Sequence, residues 1–308
     1  MHTATVSPSS GNGWNKVKSK IESNRIWLKL LVSMLIPLMI GIFTITMSFV
    51  QQNVSLKQRI QDREDAEKLR LQSTKLADNN EKETILANYL NEISRILMSE
   101  NHTKMYEYIR IKTLTSLRQL QTDVEKKQYL FLFLYQSKLL FREPEAKLKI
   151  IGADFNGIQF NGSDEMKCSF DRIELFDIYL SDTYFSQCYI DRTIFSYSTM
   201  NKAMFVRGLI LRSTFKFTSL KRAQFSEIRI KNVSFMGANL FESNFTGASL
   251  ENGTVSFVNA NLLNSNLSDL QLQNASLFNC ILPNGTWGPI QTQNLVSLGD
   301  FDKNVEMN

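Results

Sequence analysis

The sequence predicts a mainly β protein that winds through short repeats and follows a membrane-spanning helix. Two observations support this prediction. From residue 150 onward an apolar residue recurs at every fifth position, and residues 26–50 form one long apolar run. Helices repeat at 3.6 residues and strands at two. A fixed period of five therefore indicates a repeat architecture rather than a conventional helix or strand.

The period of five is nearly unbroken. Stepping by five from Ile150 to Val255 gives 21 apolar residues in 22 positions, and only Glu165 is polar. After Val255 the register slips by two residues and the pattern resumes. A second column of small or β-branched side chains lies two residues before each centre. Residues two apart in extended backbone point to the same side, so each unit directs one large and one small side chain inward.

Individual units carry a family resemblance. The units GANLF, GASLE, NANLL and NASLF resemble the pentapeptide-repeat family, whose units read A(D/N)LXX. The resemblance covers Ile150 to about Leu282. It implies a right-handed quadrilateral β-helix, the pentapeptide-repeat solenoid, with 20 residues per coil. Early units such as FDIYL and YSTMN depart from the motif, so we expect the first coils to be less regular.

A coil of 20 residues predicts how the inward side chains stack. Sorting the centres by steps of 20 gives two phenylalanine-rich sides that alternate with mainly aliphatic sides, over some seven coils. The first phenylalanine side is Phe155, Leu175, Phe195, Phe215 and Phe235, and the second is Phe185, Phe205, Phe225 and Phe245.

The apolar run Ile26–Val50 has the length and composition of a membrane span. It holds 25 residues with one charge, Lys29, and about 20 apolar residues cross a bilayer. A cleaved signal peptide is the alternative, but the following MSFVQQN offers no small-residue cleavage site. Basic residues are in excess before the run and balanced by acidic residues after it. This charge bias predicts a cytoplasmic N-terminus and an extracytoplasmic C-terminal domain.

The region between span and repeats is predicted to be helical. The charged stretch KQRIQDREDAEKLRLQSTK indicates a solvated stalk, for which a dimeric coiled coil is the alternative. Lys112–Leu140 is similar to a segment that precedes the repeats in a membrane-anchored subgroup of the family. Within it Tyr129–Tyr135 is apolar on every face, which predicts a plug over the first coil. A partner-binding or membrane-touching helix is the alternative.

These segments define the predicted domain organisation. They are a disordered basic cytoplasmic tail (1–25), a transmembrane helix (26–50), a helical stalk and N-terminal cap (51–149), a pentapeptide-repeat β-helix (150–288) and a polar tail (289–308).

The residue inventory argues against catalysis. The chain has two histidines, His2 and His102, and neither falls in the repeats. Histidine-based triads and zinc sites are therefore excluded there. Cys168, Cys188 and Cys280 all fall in the small inward column and are interpreted as buried structural thiols. No phosphate-binding glycine motif occurs. We predict no enzyme, no cofactor and no catalytic, cofactor-binding or metal site.

Charge is unevenly distributed along the repeats. Residues 150–199 carry eight acidic and three basic side chains, whereas residues 200–231 carry eight basic side chains and one acidic. Residues 20 apart should stack, and stacked like charges favour an anionic ligand. A solvated surface neutralised by neighbours such as Asp171 and Asp191 is the alternative. The candidate anion or partner surface consists of Arg172, Arg192, Lys202, Arg207, Arg212 and Arg222.

Three function classes follow. The leading one is a non-enzymatic interaction scaffold integral to the membrane, with an unidentified protein partner. The second is a binder of anionic polymer, sugar or lipid headgroup. The third, a DNA-mimic regulator, comes from the resemblance, because some family members mimic DNA and protect gyrase. A basic belt and a membrane anchor argue against that class, so nucleic acid is not expected as a partner. Nine Asn-X-Ser/Thr patterns after the span fit an exported domain.

Overall fold

The computed structural model describes residues 12–99, 105–142, 148–162 and 168–289. The chain divides into two compact units, residues 1–76 and 77–308. Most of the predicted tails, residues 1–11 and 290–308, lies outside the described residues, as does His102.

The first unit contains most of one very long helix. Helix α1 spans Asn12–Leu97 and includes Pro37. All described side chains from Glu22 to Glu81 are exposed, including the whole apolar run. Among the described residues, this is the one helix long and apolar enough to cross a membrane. A signal sequence near the N-terminus would meet the same criteria of length and apolarity, so membrane topology does not follow from this helix. The structure of the single chain gives no support to coiled-coil pairing.

The second unit opens with helices that pack together. After the end of α1 come α2, at Tyr106–Leu120, and α3, at Val124–Gln136. Asp123 is the N-cap of α3, since its side chain accepts a hydrogen bond from the Lys126 amide at 3.1 Å.

Helix α3 covers the core of the first coil. Its Phe131 is 1% exposed, and its ring centroid lies 5.3 Å from that of Phe155, 5.1 Å from Phe160 and 5.8 Å from Phe170. These contacts are those of the plug predicted for Tyr129–Tyr135. The segment is not buried on every face, however, because Tyr129 is 55% exposed.

The repeats form a parallel β-solenoid, as the resemblance implied. Three of its sides are built on the sheets β1-β3-β5, β2-β4-β6-β7-β9 and β8-β10-β11, and parallel bridges from Asp154 through Tyr179 to Ile281 form the fourth. The strands are β1 Gln159–Asn161, β2 Ser169–Asp171, β3 Tyr184–Ser186, β4 Tyr189–Asp191, β5 Met204–Val206, β6 Leu209–Leu211, β7 Arg229–Lys231, β8 Val233–Ser234, β9 Ser249–Leu250, β10 Val255–Ser256 and β11 Ala275–Ser276.

The two phenylalanine ladders are present and fully packed. Phe195, Phe215 and Phe235 stack with ring centroids 4.8 and 5.1 Å apart. On the second side Phe185 stacks on Phe205 at 4.8 Å, and the ladder continues to Phe245. Rings of the two ladders also meet edge to face, as aromatic pairs prefer.

The predicted start of the first ladder was wrong. The first coil pairs with the second at an offset of 25 residues, as in Gln159 with Tyr184, whereas later coils pair at 20. Five extra residues therefore lie before Ser169, and the polar Glu165 falls in this segment, outside the described residues. As a consequence Phe155 follows the ladder of Leu180 rather than that of Phe195.

The slip near Val255 is confirmed. Val233 pairs with Val255 and Ser234 with Ser256, an offset of 22 residues. The solenoid has about five turns, fewer than the seven expected. Helix α4, Asp269–Gln273, lies in the last coil, between the bridged residues Asn261 and Ile281. The Gln271 side-chain amide there donates to the backbone carbonyls of Phe245 and Ala248, at 3.0 and 2.7 Å, and so satisfies acceptors at the end of the sheet.

The corners of the coils use left-handed backbone at every fifth residue. Positive φ values near 50° occur at Arg172, Arg192 and Arg212 on one corner. The residue at this place in the turn points outward, so it is free to vary in chemistry. Gly237 leaves room for the ring of Phe217, because a Cβ there would lie 2.5 Å from a ring carbon and the ring would have to shift.

Candidate interaction surface

The stacked arginines of the candidate surface share one corner of the solenoid with aspartates. We call Arg172, Arg192 and Arg212 the arginine column. Arg172 Nε lies 2.9 Å from an oxygen of Asp171, and Arg192 Nε lies 3.6 Å from Asp171 and 3.3 Å from Asp191. Arg212 binds Asp191 through two nitrogens, one of them Nε at 2.8 Å from Oδ1. The arginine column is therefore largely neutralised from within.

Asp191 is the centre of this arrangement. It is 2% exposed, so its charge depends on the two arginines above and beside it. The bond to Asp191 raises the pKa of Arg212 above its ordinary value. Arg192 and Arg212 are 37% and 42% exposed, so solvent screens the arginine side of each pair, and removing Arg212 would leave the buried carboxylate with Arg192. These arginines therefore stabilise the corner, and their substitution would disturb the fold together with any binding.

Two further candidate arginines are paired along the stacking direction. Arg207 Nε lies 2.8 Å from Glu227, and Arg222 Nε lies 2.6 Å from Glu242. Each pair joins residues 20 apart, so each links one coil to the next. Both pairs are largely solvated, and such pairs contribute little stability. They still remove free positive charge from the surface.

Positive charge remains uncompensated at another corner. Within the described residues no ion pair involves Lys202 or Lys221. The two lysines lie on adjacent coils, since the amide of Lys202 donates to the carbonyl of Lys221 at 2.9 Å. We call them the lysine pair. Of the six predicted surface residues, Lys202 is the one that keeps a free charge there.

An exposed aromatic stack runs along a third corner and was not anticipated from the sequence. The ring of Tyr197 lies 5.1 Å from both Phe176 and Phe217. Tyr197 is 53% and Phe217 is 48% exposed. Phe217 also covers Gly237. Tyr197 and Phe217 stack face to face and Phe176 contacts Tyr197 at a tilt, so the rings support one another along this corner.

The cysteines correct the sequence interpretation. Cys168 and Cys188 form a disulfide between adjacent coils, while Cys280 is a buried free thiol. Burial raises the pKa of Cys280 above its ordinary value, so it is a poor nucleophile. The spacing of 20 residues between the paired cysteines equals one coil. This spacing could have predicted the disulfide from the sequence, because equivalent positions on adjacent coils are near neighbours.

The described residues hold no group of three or more metal-ligating side chains. They also contain no histidine, since His2 and His102 are not among them. What the surface offers is a regular outer face of charged and polar side chains on a packed solenoid. The class of protein defined by this geometry is a parallel β-solenoid with four sides per coil.

A family comparison matches part of the solenoid. The model of the family Pentapeptide repeats, in eight copies, matches residues 218–254. Residues 218–254 carry pentapeptide repeats, and a helical segment precedes the solenoid. No curated protein matches the sequence.

Several solved structures are similar to the chain. A trypsin-treated form of QnrB1, a plasmid-mediated fluoroquinolone resistance protein, is 17% identical, over 52% of this chain and 81% of that one, with a TM-score of 0.32. A pentapeptide repeat protein from the thylakoid lumen of Arabidopsis thaliana is 28% identical, over 29% and 64% of the chains, with a TM-score of 0.20. HetL from Nostoc sp., involved in heterocyst differentiation regulation, is 17% identical, over 44% and 64%, with a TM-score of 0.17.

Proposed function

We propose that this protein is a non-enzymatic interaction scaffold, anchored by the apolar segment of α1, whose solenoid faces the extracytoplasmic side. The observation that carries the proposal is the coexistence, on one chain, of a 25-residue exposed apolar run and a β-solenoid. An exposed run of this length would be strongly unfavourable in water, and a bilayer removes that cost.

Two independent features support the proposed topology. The basic flank before Ile26 favours a cytoplasmic N-terminus. The Cys168–Cys188 disulfide favours an oxidising compartment for the solenoid, because thiols are kept reduced in the cytosol. The flank concerns one side of the apolar run and the disulfide concerns the other, and the two agree.

The scaffold assignment is supported by the character of the surface. Solenoids present extended faces that are built for binding. The outward residues of this one include paired arginines and stacked aromatics that stabilise the corners. A rigid face with little free charge suits recognition of a protein by shape.

The full-length protein is expected to stay in the membrane pellet after alkaline carbonate extraction. An epitope at the C-terminus should bind antibody on intact cells, whereas an N-terminal epitope should require permeabilisation. The matched variant replaces Leu35 and Ile36 with arginine. Each arginine near the helix centre costs about 2.5–3.5 kcal/mol on insertion scales, so this variant should be retained less in the membrane pellet. Release of the unaltered protein by carbonate would refute the anchor, and the opposite epitope pattern would refute the topology.

Binding of an anionic ligand is the second candidate function, and the lysine pair is the observation that favours it. Lys202 and Lys221 lie on adjacent coils and keep their charge free of the carboxylates of the described surface. Exposed ammonium groups on adjacent coils attract sulfate, phosphate or carboxylate, and added salt screens that attraction over about 10 Å at 0.1 M.

The two candidates predict different results for the Lys202→Gln, Lys221→Gln double variant. If the protein binds anions through the lysine pair, the double variant should be retained less than the unaltered protein on heparin or anionic vesicles. Added salt should weaken the retention of the unaltered protein. If the scaffold is correct, photo-crosslinking from exposed solenoid positions in native membranes should give the same discrete protein adduct in both. Absence of any adduct would contradict the scaffold. Glu227→Gln is the control, because it removes a negative charge, and so leaves Arg207 unpaired, at a place on the solenoid away from the lysine pair.

A further inference from the structure

Residues 150–288 contain seven Asn-X-Ser/Thr patterns, and five of them fall into two structural groups. The other two are Asn161, whose Ser163 lies outside the described residues, and the half-buried Asn274. In the first group, which we call the free acceptors, the asparagine is exposed and its side-chain nitrogen has no hydrogen-bond partner among the described residues. In the second, which we call the ladder asparagines, that nitrogen donates to a neighbouring coil. The free acceptors are Asn232, Asn252 and Asn284, and the ladder asparagines are Asn244 and Asn266.

The ladder asparagines are held by each other and by the backbone. Asn244 Nδ2 donates to Gln224 Oε1 at 2.8 Å, and Asn266 Nδ2 donates to Asn244 Oδ1 and to Thr246 Oγ1. Asn266 Oδ1 also accepts from the Phe245 amide. N-glycosylation replaces one of the two Nδ2 hydrogens, so a modified Asn266 could no longer donate to both Asn244 and Thr246. A sugar on either asparagine would also place a bulky group against the neighbouring coil.

The free acceptors lie where the coil turns outward. Asn232 occupies a corner position with φ of 53° and is exposed. Asn252 is exposed on the next coil, 20 residues later, at the longer corner that contains the two-residue slip. The two thus share one corner, which we call the asparagine corner. It continues the line of the arginine column.

Asn284 gives the sharpest comparison with a ladder asparagine. Asn284 Oδ1 accepts from the Thr286 amide at 3.0 Å and from the Thr286 hydroxyl at 2.7 Å. Asn244 makes the same turn with Thr246, at 3.0 and 2.6 Å. The local geometry of the two acceptor patterns is therefore alike, and only the neighbouring coil distinguishes them. Asn284 Nδ2 is left free on an exposed turn.

We infer that the solenoid is N-glycosylated at the asparagine corner and at Asn284, and is not glycosylated at the ladder asparagines. The inference rests on the proposed extracytoplasmic placement of the solenoid. The donor is an oligosaccharide linked to a polyprenyl diphosphate, and a membrane oligosaccharyl transferase supplies the catalysis. Asparagine Nδ2 bonds to C1 of the first sugar, the C1–O bond to diphosphate breaks, Nδ2 loses one proton, and the polyprenyl diphosphate leaves.

Burial and crowding determine the expected pattern. Adjacent coils are about 4.8 Å apart, so two glycans at the asparagine corner would be crowded, and occupancy there is scored for Asn232 and Asn252 together. A chain modified at Asn266 would lose one of that residue's two donated bonds, and a sugar at the half-buried Asn244 would crowd the neighbouring coil. Such chains should be depleted from the folded population at the cell surface.

The test uses the full chain expressed in cells that carry out N-glycosylation, with surface protein isolated and treated with a glycan-releasing amidase in ¹⁸O-water. The amidase cleaves the Cγ–Nδ2 bond and leaves ¹⁸O-labelled aspartate, which mass spectrometry reads site by site. We expect label at the asparagine corner and at position 284, and none at 244 or 266. Label at the ladder asparagines equal to that at Asn284 would overturn the inference.

Matched variants separate this result from the topology. Asn284→Gln should remove one glycan step on a gel and should lower thermal stability less than Asn244→Gln, because it disturbs only the exposed turn bonds to Thr286. Asn244→Gln should leave the gel pattern unchanged and lower stability. If the C-terminal epitope is extracytoplasmic and no site is labelled, the modification fails and the proposed topology stands. If the C-terminal epitope is cytoplasmic, both the modification and the proposed topology fail.

Discussion

Replacing Phe215 with aspartate is expected to unfold the central coils of the solenoid. The ring is 0% exposed and lies between Phe195 and Phe235, at 4.8 and 5.1 Å, with Phe205 edge-on at 5.8 Å. Truncating a buried phenylalanine costs about 3–5 kcal/mol, and an unpaired buried carboxylate adds several more. In a solenoid each coil depends on its neighbours, so the loss spreads along the stack. Thermal unfolding followed by circular dichroism should show the collapse.

Phe217→Asp is the matched control, because it places the same substitution two residues away on the outer face. Phe217 is 48% exposed and has a positive φ of 56°, which aspartate tolerates better than phenylalanine. It loses the stack on Tyr197, an effect of about 0.5–1.5 kcal/mol. Equal melting temperatures for the two variants would show that the inward and outward columns are wrongly assigned.

Removing the disulfide is expected to give the second largest effect. It closes a loop of 20 residues next to the five-residue insertion in the first coil. Loop-closure entropy for such a bridge corresponds to about 3 kcal/mol. For a domain of this size that corresponds to a fall of roughly 6–12 °C in melting temperature. The double variant Cys168→Ala, Cys188→Ala should show this fall, and a reductant should not lower its melting temperature further.

The free thiol provides the control for this experiment. Cys280→Ala removes a cysteine that is buried and unpaired, so its melting temperature should still fall when reductant is added, as in the unaltered protein. Alkylation without reductant should modify one cysteine after unfolding and three once the bridge is reduced. Modification of all three cysteines without reductant would contradict the disulfide.

The sequence alone determined the repeat, its inward columns and the apolar segment. A period of five with a large and a small inward residue is a local pattern, and Phe215 or Leu240 can be assigned to the core from spacing alone. The slip near Val255 was visible for the same reason. Hydrophobic burial depends on side-chain type and on the period of the apolar residues, and both can be read from the sequence. The length of the apolar segment Ile26–Val50 can be counted in the sequence in the same way.

Only the tertiary structure determined the features that depend on which residues become neighbours, namely ladder membership, ion pairs and the disulfide. The offset of 25 in the first coil moved Phe155 to another ladder, and Glu165 was the only sign of it in the sequence. Charge counts indicated a basic belt, yet stacking placed Asp191 against Arg212 and left Lys202 unpaired. Pairing across coils is fixed by three-dimensional register, because an ion pair or a disulfide requires contact within a few ångströms. Composition along the chain carries no information on that contact until the length of every coil is known.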